Sequence, residues 1–302
     1  MPGNCRWLEE RYEVTAPAST GAPREQWRWS WARALFVIAS LCVVAGTARD
    51  HPAWANAERR IDLETRPGVT QSFYLAEPDA PARATLLLFA GGEGVLKELK
   101  PPDLAHGNFL VRARGLFLAE GFAVAVIDVP SDHAGGLGDF RFRAEHADDI
   151  AAVVTWLRHN PSNPERTMPV WLVGTSRGTL SAANAAVRVP GVAGLVLTST
   201  VMREPGRQAG GRQFGSIFTI PLAELRMPVL VVHHRADACA ACPFDDTAAL
   251  MQRFSAAPVA ELIPVEGGTP PRSGPCEALS AHGYLGIEAP VVAAIGAWIR
   301  AH

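Results

Sequence analysis

The sequence predicts an α/β protein: a mostly parallel central sheet with helices on both faces. Three observations carry this. Apolar, β-branched runs bounded by turn residues recur along the chain, segments with helical spacing alternate with them, and no linker-like stretch interrupts the series after Ile61. Alternation of that kind means βαβ units with right-handed crossovers.

The strands are expected at 85–90 (TLLLFA), 122–129 (FAVAVIDV), 170–173 (VWLV), 194–198 (GLVLT), 229–233 (VLVVH) and 259–265 (VAELIPV), with a weaker, antiparallel strand at 73–75. Between them, 108–120 offers Phe109, Leu110, Ala113, Leu116 and Phe117 on one face, with Arg112 and Arg114 off it, and Gly121 as the stop. Segment 145–160 repeats the pattern with Ile150, Val153, Val154 and Leu157 and ends before Pro161. Helices at 177–188, 244–254 and 289–299 complete the set, with Asp245 and Asp246 suited to the positive start of the fourth.

Residues 1–55 read as a leader and 56–302 as a single domain. In the leader Arg24, Arg28 and Arg33 precede an uncharged run of 15 residues, 34–48 (ALFVIASLCVVAGTA). That is short of the roughly 20 needed to span a bilayer. A basic flank, a short apolar core and small residues after it describe a secretory signal, with cleavage after Ala48 or Ala55; an uncleaved tether through 34–48 is the alternative. Export to the periplasm or medium follows. A formal net charge of −2 removes the electrostatic case for a nucleic-acid partner.

The chemistry centres on VWLVGTSRGTLSAANAA, which contains G-x-S-x-G at Gly174, Ser176 and Gly178. A serine hydroxyl needs a base before it becomes a nucleophile, and must stand clear of its neighbours. A tight strand-to-helix turn achieves this, and flanking glycines leave it room. The helix that follows turns its positive end toward a developing oxyanion. VLVVHHRAD then puts Asp237 beyond an apolar strand, and SAHGYLG puts His282 between the last strand and the last helix. Both belong at the carboxyl ends of parallel strands, beside Ser176.

On GTSRG, HHRAD and HGYLG, with FAGGEG upstream, the chain resembles the α/β-hydrolase fold family from Ile61 to His302. The resemblance implies Ser176 as nucleophile, His282 as general base and then acid, and Asp237 as the group that fixes the imidazole tautomer. It also implies an oxyanion hole from backbone amides at Gly91 or Gly92 and at Arg177. No histidine precedes those glycines, a departure from the HGGG pattern of many lipases and esterases. The implied activity is a carboxylesterase-like serine hydrolase acting on a small-molecule acyl substrate without metal or organic cofactor. The same triad serves a peptidase or an acyltransferase, and a non-catalytic or zinc-binding exported module is the remaining alternative.

Rival residues have plainer readings. His233 and His234 end a buried strand and suit packed, hydrogen-bonded roles; Asp128 precedes the serine, the wrong order for the acid. Asp132 and His133, in PSDHAGGLGDF, are expected in a mobile wall of the pocket. Cys239, Cys242 and Cys276 with His282 also spell a zinc inventory. Export favours a disulfide instead, from Cys276 to Cys239 or Cys242, tying the acid loop to the histidine loop.

Overall fold

The structure, a computed structural model, describes residues 58–96, 107–159, 167–204 and 215–302. The leader, with its cleavage points, its apolar run, Cys5 and Cys42, lies outside the described residues. Among the described residues no helix is long and apolar enough to cross a membrane.

One eight-stranded sheet organises the chain. Its strands are β1 (Arg59–Arg66), β2 (Val69–Ala76), β3 (Thr85–Phe89), β4 (Ala123–Pro130), β5 (Val170–Thr175), β6 (Gly194–Thr198), β7 (Val229–His234) and β8 (Ala260–Val265). The spatial order is β1-β2-β4-β3-β5-β6-β7-β8. The pairings β1–β2 and β2–β4 are antiparallel and all the others parallel. The weak segment at 73–75 is therefore the second half of an antiparallel strand, as expected. β1 has no counterpart in the sequence reading: in RRIDLETR the only apolar residues alternating inward are Ile61 and Leu63, and the charges beside them suit an exposed edge.

Strand side chains alternate between two cores, as a period of two requires. Leu87, Phe89, Leu172 and Leu197 pack against α2 (Ala144–Arg158) and α3 (Gly178–Arg188) through Ile150, Val154, Leu180 and Ala183. Leu86, Leu88, Val173 and Val196 pack against α1 (Phe109–Ala119) and α5 (Glu288–Ala301) through Phe109, Leu110, Val292 and Ile295. The fourth helix is shorter than expected. A 3₁₀ turn at Phe244–Asp246 leads into α4 (Thr247–Met251), and the Arg253 N–H bonds back to Leu250 O, an i−3 closure that ends the α-helix.

Two arginines on α1 also depart from expectation. Arg114 is buried, its Nε donating to Glu58 Oε1 at 2.8 Å. Arg112 donates to Gly107 O, Gly283 O and Glu288 Oε1, so it ties the start of α1 to the loop that carries His282. Strand order reverses at β3, between β4 and β5, and ligands of open α/β sheets gather at such a switch point. Gly91 and Ser176 lie there.

Candidate active site

Ser176 sits at φ +53°, in the left-handed region, between β5 and α3. A residue with a side chain holds that conformation only if its surroundings fix it. The Ser176 N–H donates to Thr198 O at 3.0 Å, and Thr179 Oγ1 donates to Ser176 O at 2.6 Å. The glycines of the pentapeptide are dictated by contact: a Cβ on Gly174 would stand 2.7 Å from Thr179 Cα, and one on Gly178 would overlap Phe89 O. The serine is thus lifted clear by backbone packed too tightly for any other residue.

His282 and Asp237 come together as expected. His282 Nδ1 lies 2.9 Å from Asp237 Oδ2, and Asp237 Oδ1 accepts from the Cys239 N–H at 2.9 Å. Both residues are buried, and His282 Nε2 is buried with no hydrogen-bond partner among the described residues. The imidazole therefore has one nitrogen committed to the acid and the other free for a proton. Ser176 and His282 face a common cavity of about 350 Å³, with Gly91 and Gly92 on one side and Asn108, Phe109, Cys276, Glu277 and Ala278 on others.

The backbone around the histidine is fixed independently. Ser199 Oγ donates to His282 O at 2.7 Å, and the Tyr284 hydroxyl donates to Val232 O at 2.8 Å while accepting from the Ser199 N–H. Burial pushes the Tyr284 phenol above its ordinary pKa, so it stays a neutral donor. His233 and His234 have the structural roles expected of them: their Nε2 atoms lie 2.8 Å from Cys242 O and 3.0 Å from Gly267 O. Burial holds His233 below its ordinary pKa, beside Asp237 but neutral. Asp128 Oδ1 accepts from the Leu96 and Val129 amides, a turn-forming task.

Gly91 and Gly92 line the cavity, and Arg177 follows Ser176, its Nη1 donating to Glu93 Oε1 at 2.6 Å. Beneath the glycine loop lies a residue that no motif singles out. Arg141 is fully buried; its Nη2 donates to Gly92 O at 3.0 Å and reaches Ala90 O at 3.5 Å, and its Nη1 donates to Ser181 Oγ at 2.7 Å. His146 Nε2 lies 2.9 Å from the same hydroxyl. Among the described residues no carboxylate pairs with Arg141, and burial pulls its pKa down to about 9. The guanidinium instead draws two carbonyls of the glycine loop inward. A trans peptide points its N–H opposite its C=O, so this sets the direction of the loop's amides.

PSDHAGGLGDF differs from expectation. It forms 3₁₀ turns at Ser131–His133 and Gly138–Phe142, Asp132 pairs with Arg66, and the segment does not line the cavity that holds Ser176. The residue that follows it, Arg141, instead reaches the glycine loop from below.

Cys239 is bonded to Cys276, the first of the two pairings considered, and Cys242 is a buried free thiol. Cys239 and Cys242 sulfurs and a His282 nitrogen lie within 4.8 Å of one another. The disulfide nevertheless takes up two of the four zinc candidates, and burial holds the Cys242 thiol well above its ordinary pKa, against the thiolate a metal needs. The oxidised chain does not fit zinc.

No protein-family model and no curated protein sequence matches the chain. Solved structures do. Est1E from Butyrivibrio proteoclasticus is 17% identical, covering 81% of this chain and 98% of its own, with a TM-score of 0.53. A dienelactone hydrolase from Anabaena variabilis is 14% identical over 82% and 99%, with a TM-score of 0.56. An esterase from Pyrococcus furiosus is 14% identical over 80% and 90%, with a TM-score of 0.58. With the sheet order and the turn at Ser176, these likenesses establish that the chain has the α/β-hydrolase fold.

Proposed function

We propose that the protein is a serine hydrolase that cleaves a carboxylic ester through an acyl-enzyme on Ser176. One observation carries the reading: His282, bonded through Nδ1 to buried Asp237, keeps Nε2 free in the cavity that Ser176 enters at φ +53°. In the reaction His282 Nε2 takes the Ser176 proton as Oγ attacks the ester carbonyl, and Asp237 stabilises the imidazolium. Amides of the glycine loop and of Arg177 receive the oxyanion. The imidazolium then protonates the departing alkoxide. A water, deprotonated by the same nitrogen, releases the acid and restores Ser176. Neighbouring folds described as esterases are consistent with this chemistry.

We also infer export. The basic and apolar leader supports it, and so does the Cys239–Cys276 bond, since such bonds persist in oxidising compartments. N-terminal sequencing of the mature protein should find a start after Ala48 or Ala55; an intact leader would remove the cleavage reading.

The test of the catalytic reading is labelling with a fluorophosphonate, peptide mapping, and hydrolysis of p-nitrophenyl acetate. Labelling is expected on Ser176. Both labelling and turnover should vanish in Ser176→Ala and His282→Ala while the unfolding temperature holds. Turnover retained in Ser176→Ala would overturn the assignment.

A further inference from the structure

The described cavity has a polar side chain that neither the triad nor the glycine loop accounts for. Asn108 precedes α1, and its Oδ1 accepts the Leu110 N–H at 3.1 Å. That bond caps the helix and also settles which way the amide faces, because the oxygen is committed and the NH₂ must point elsewhere. It points to the reaction centre. A Cβ placed on Gly91 would lie 3.3 Å from Asn108 Nδ2, 3.1 Å from Thr175 O and 2.9 Å from Ser176 Cβ, so the amide nitrogen and Ser176 both lie close to a single point beside the glycine loop. Asn108, Gly91 and Ser176 all line the same cavity, and Nδ2 donates to no acceptor among the described residues.

We propose that Asn108 is a catalytic residue whose Nδ2 donates a side-chain hydrogen bond to the oxyanion formed on attack by Ser176, supplementing the backbone amides. The inference rests on the serine-hydrolase reading above. Its geometry has separate support. Arg112 anchors the carbonyl of Gly107, immediately before Asn108, and through Gly283 O the loop after His282. The donor and the base are therefore held by one guanidinium. Gly91 has its own reason to lack a side chain, since a methyl there would crowd Ser176 Cβ, Thr175 O and Asn108 Nδ2.

The alternative is that Asn108 only caps α1. Serine and aspartate cap helices about as well as asparagine, so Asn108→Ser and Asn108→Asp separate the two roles. Serine keeps the cap but lacks the reach; aspartate keeps the cap and turns an acceptor, negatively charged, toward the oxyanion. Loss of one such donor lowers kcat by about 10²–10³. The expected result is a kcat loss of that size in Asn108→Ser and a larger one in Asn108→Asp. KM and unfolding temperature should stay close to wild type, and fluorophosphonate labelling of Ser176 should slow. Wild-type kcat in Asn108→Ser would overturn the proposal and leave the hydrolase reading standing. A parallel fall of kcat and unfolding temperature in both variants would also overturn it, in favour of capping. Wild-type protein that neither labels nor turns over would remove both readings together.

Discussion

Replacing Cys239 and Cys276 together by alanine should separate two things the disulfide could do, hold the fold and hold the triad. Alanine at both positions avoids burying a hydroxyl at 239, which belongs to the core, and leaves Cys242 without a partner within the C-x-x-C pair. The bond closes a separation of 37 residues. In the chain-entropy treatment a loop of that length limits the unfolded state by about 3.8 kcal/mol. For a domain of this size that corresponds to roughly 8–15 °C in unfolding temperature. Catalysis should respond far less. His282 is located by Ser199 Oγ on its carbonyl and by the Tyr284 hydroxyl on Val232 O, and Asp237 by the Cys239 N–H, a backbone bond that alanine keeps. The expected kcat at 25 °C is within about threefold of wild type, under 1 kcal/mol in barrier. Urea unfolding followed by fluorescence and circular dichroism measures the first quantity, and ester turnover the second. A stability loss below about 1 kcal/mol would refute the constraint on the unfolded chain. A tenfold or greater fall in kcat in the folded variant would refute the independent anchoring of His282, and return the disulfide to the catalytic role that the sequence suggested.

Two further predictions concern the buried cluster under the glycine loop. Arg141→Met removes the anchors on Ala90 O and Gly92 O, and should lower kcat by about tenfold or more with little change in KM, because only the transition state uses the loop's amides; unchanged kcat would sink this role. His146 is held neutral, its pKa pulled down to about 3 chiefly by burial and then by the Arg141 charge. An unfolded imidazole takes a proton below about pH 6.5 that the folded one refuses, so this stability is complete above pH 6.5 and drains away as pH falls toward 3. Between pH 7.5 and 4.5 the loss from this group is about 2–3 kcal/mol. Urea unfolding at the two pH values should show that increment in wild type and its disappearance in His146→Gln; an equal pH dependence in both would refute it.

The parts of the site that repeat along a strand or announce themselves in a turn were legible in the sequence. Ser176 stood between glycines after an apolar run, and Asp237 and His282 fell at strand ends because parallel strands place their following loops on one edge. The disulfide was legible as a choice between two partners, and only the placement of the loops decided for Cys239. Arg141 was not legible. DFRFRAEHA gives no sign that one arginine points inward, since a buried guanidinium without a carboxylate is recognisable only once its carbonyl partners, some 50 residues away in sequence, are in place. Asn108 was visible as the start of a helix, but its amide NH₂ acquires meaning only from the proximity of Gly91 and Ser176. β1 escaped for the opposite reason: an edge strand with charges facing water carries little hydrophobic pattern.

Backbone strain shows how the two halves of the site are kept in place. Among the described residues, the non-glycine positions with φ in the left-handed region are Ser176, Ser199 and Tyr284. Each costs about 1–3 kcal/mol and persists only where its surroundings leave no cheaper arrangement. For Ser176 those surroundings are the close packing of Gly174 and Gly178 and the bond to Thr198 O. Ser199 and Tyr284 hold each other, the tyrosine hydroxyl accepting from the serine N–H, and together they grip the carbonyls of His282 and Val232. Ser199 follows β6 directly and Val232 lies in β7, so the histidine is referenced to the same rigid sheet as Ser176 rather than to its own long loop. Among the described residues, strain is concentrated where a loop must be given the precision of a strand end.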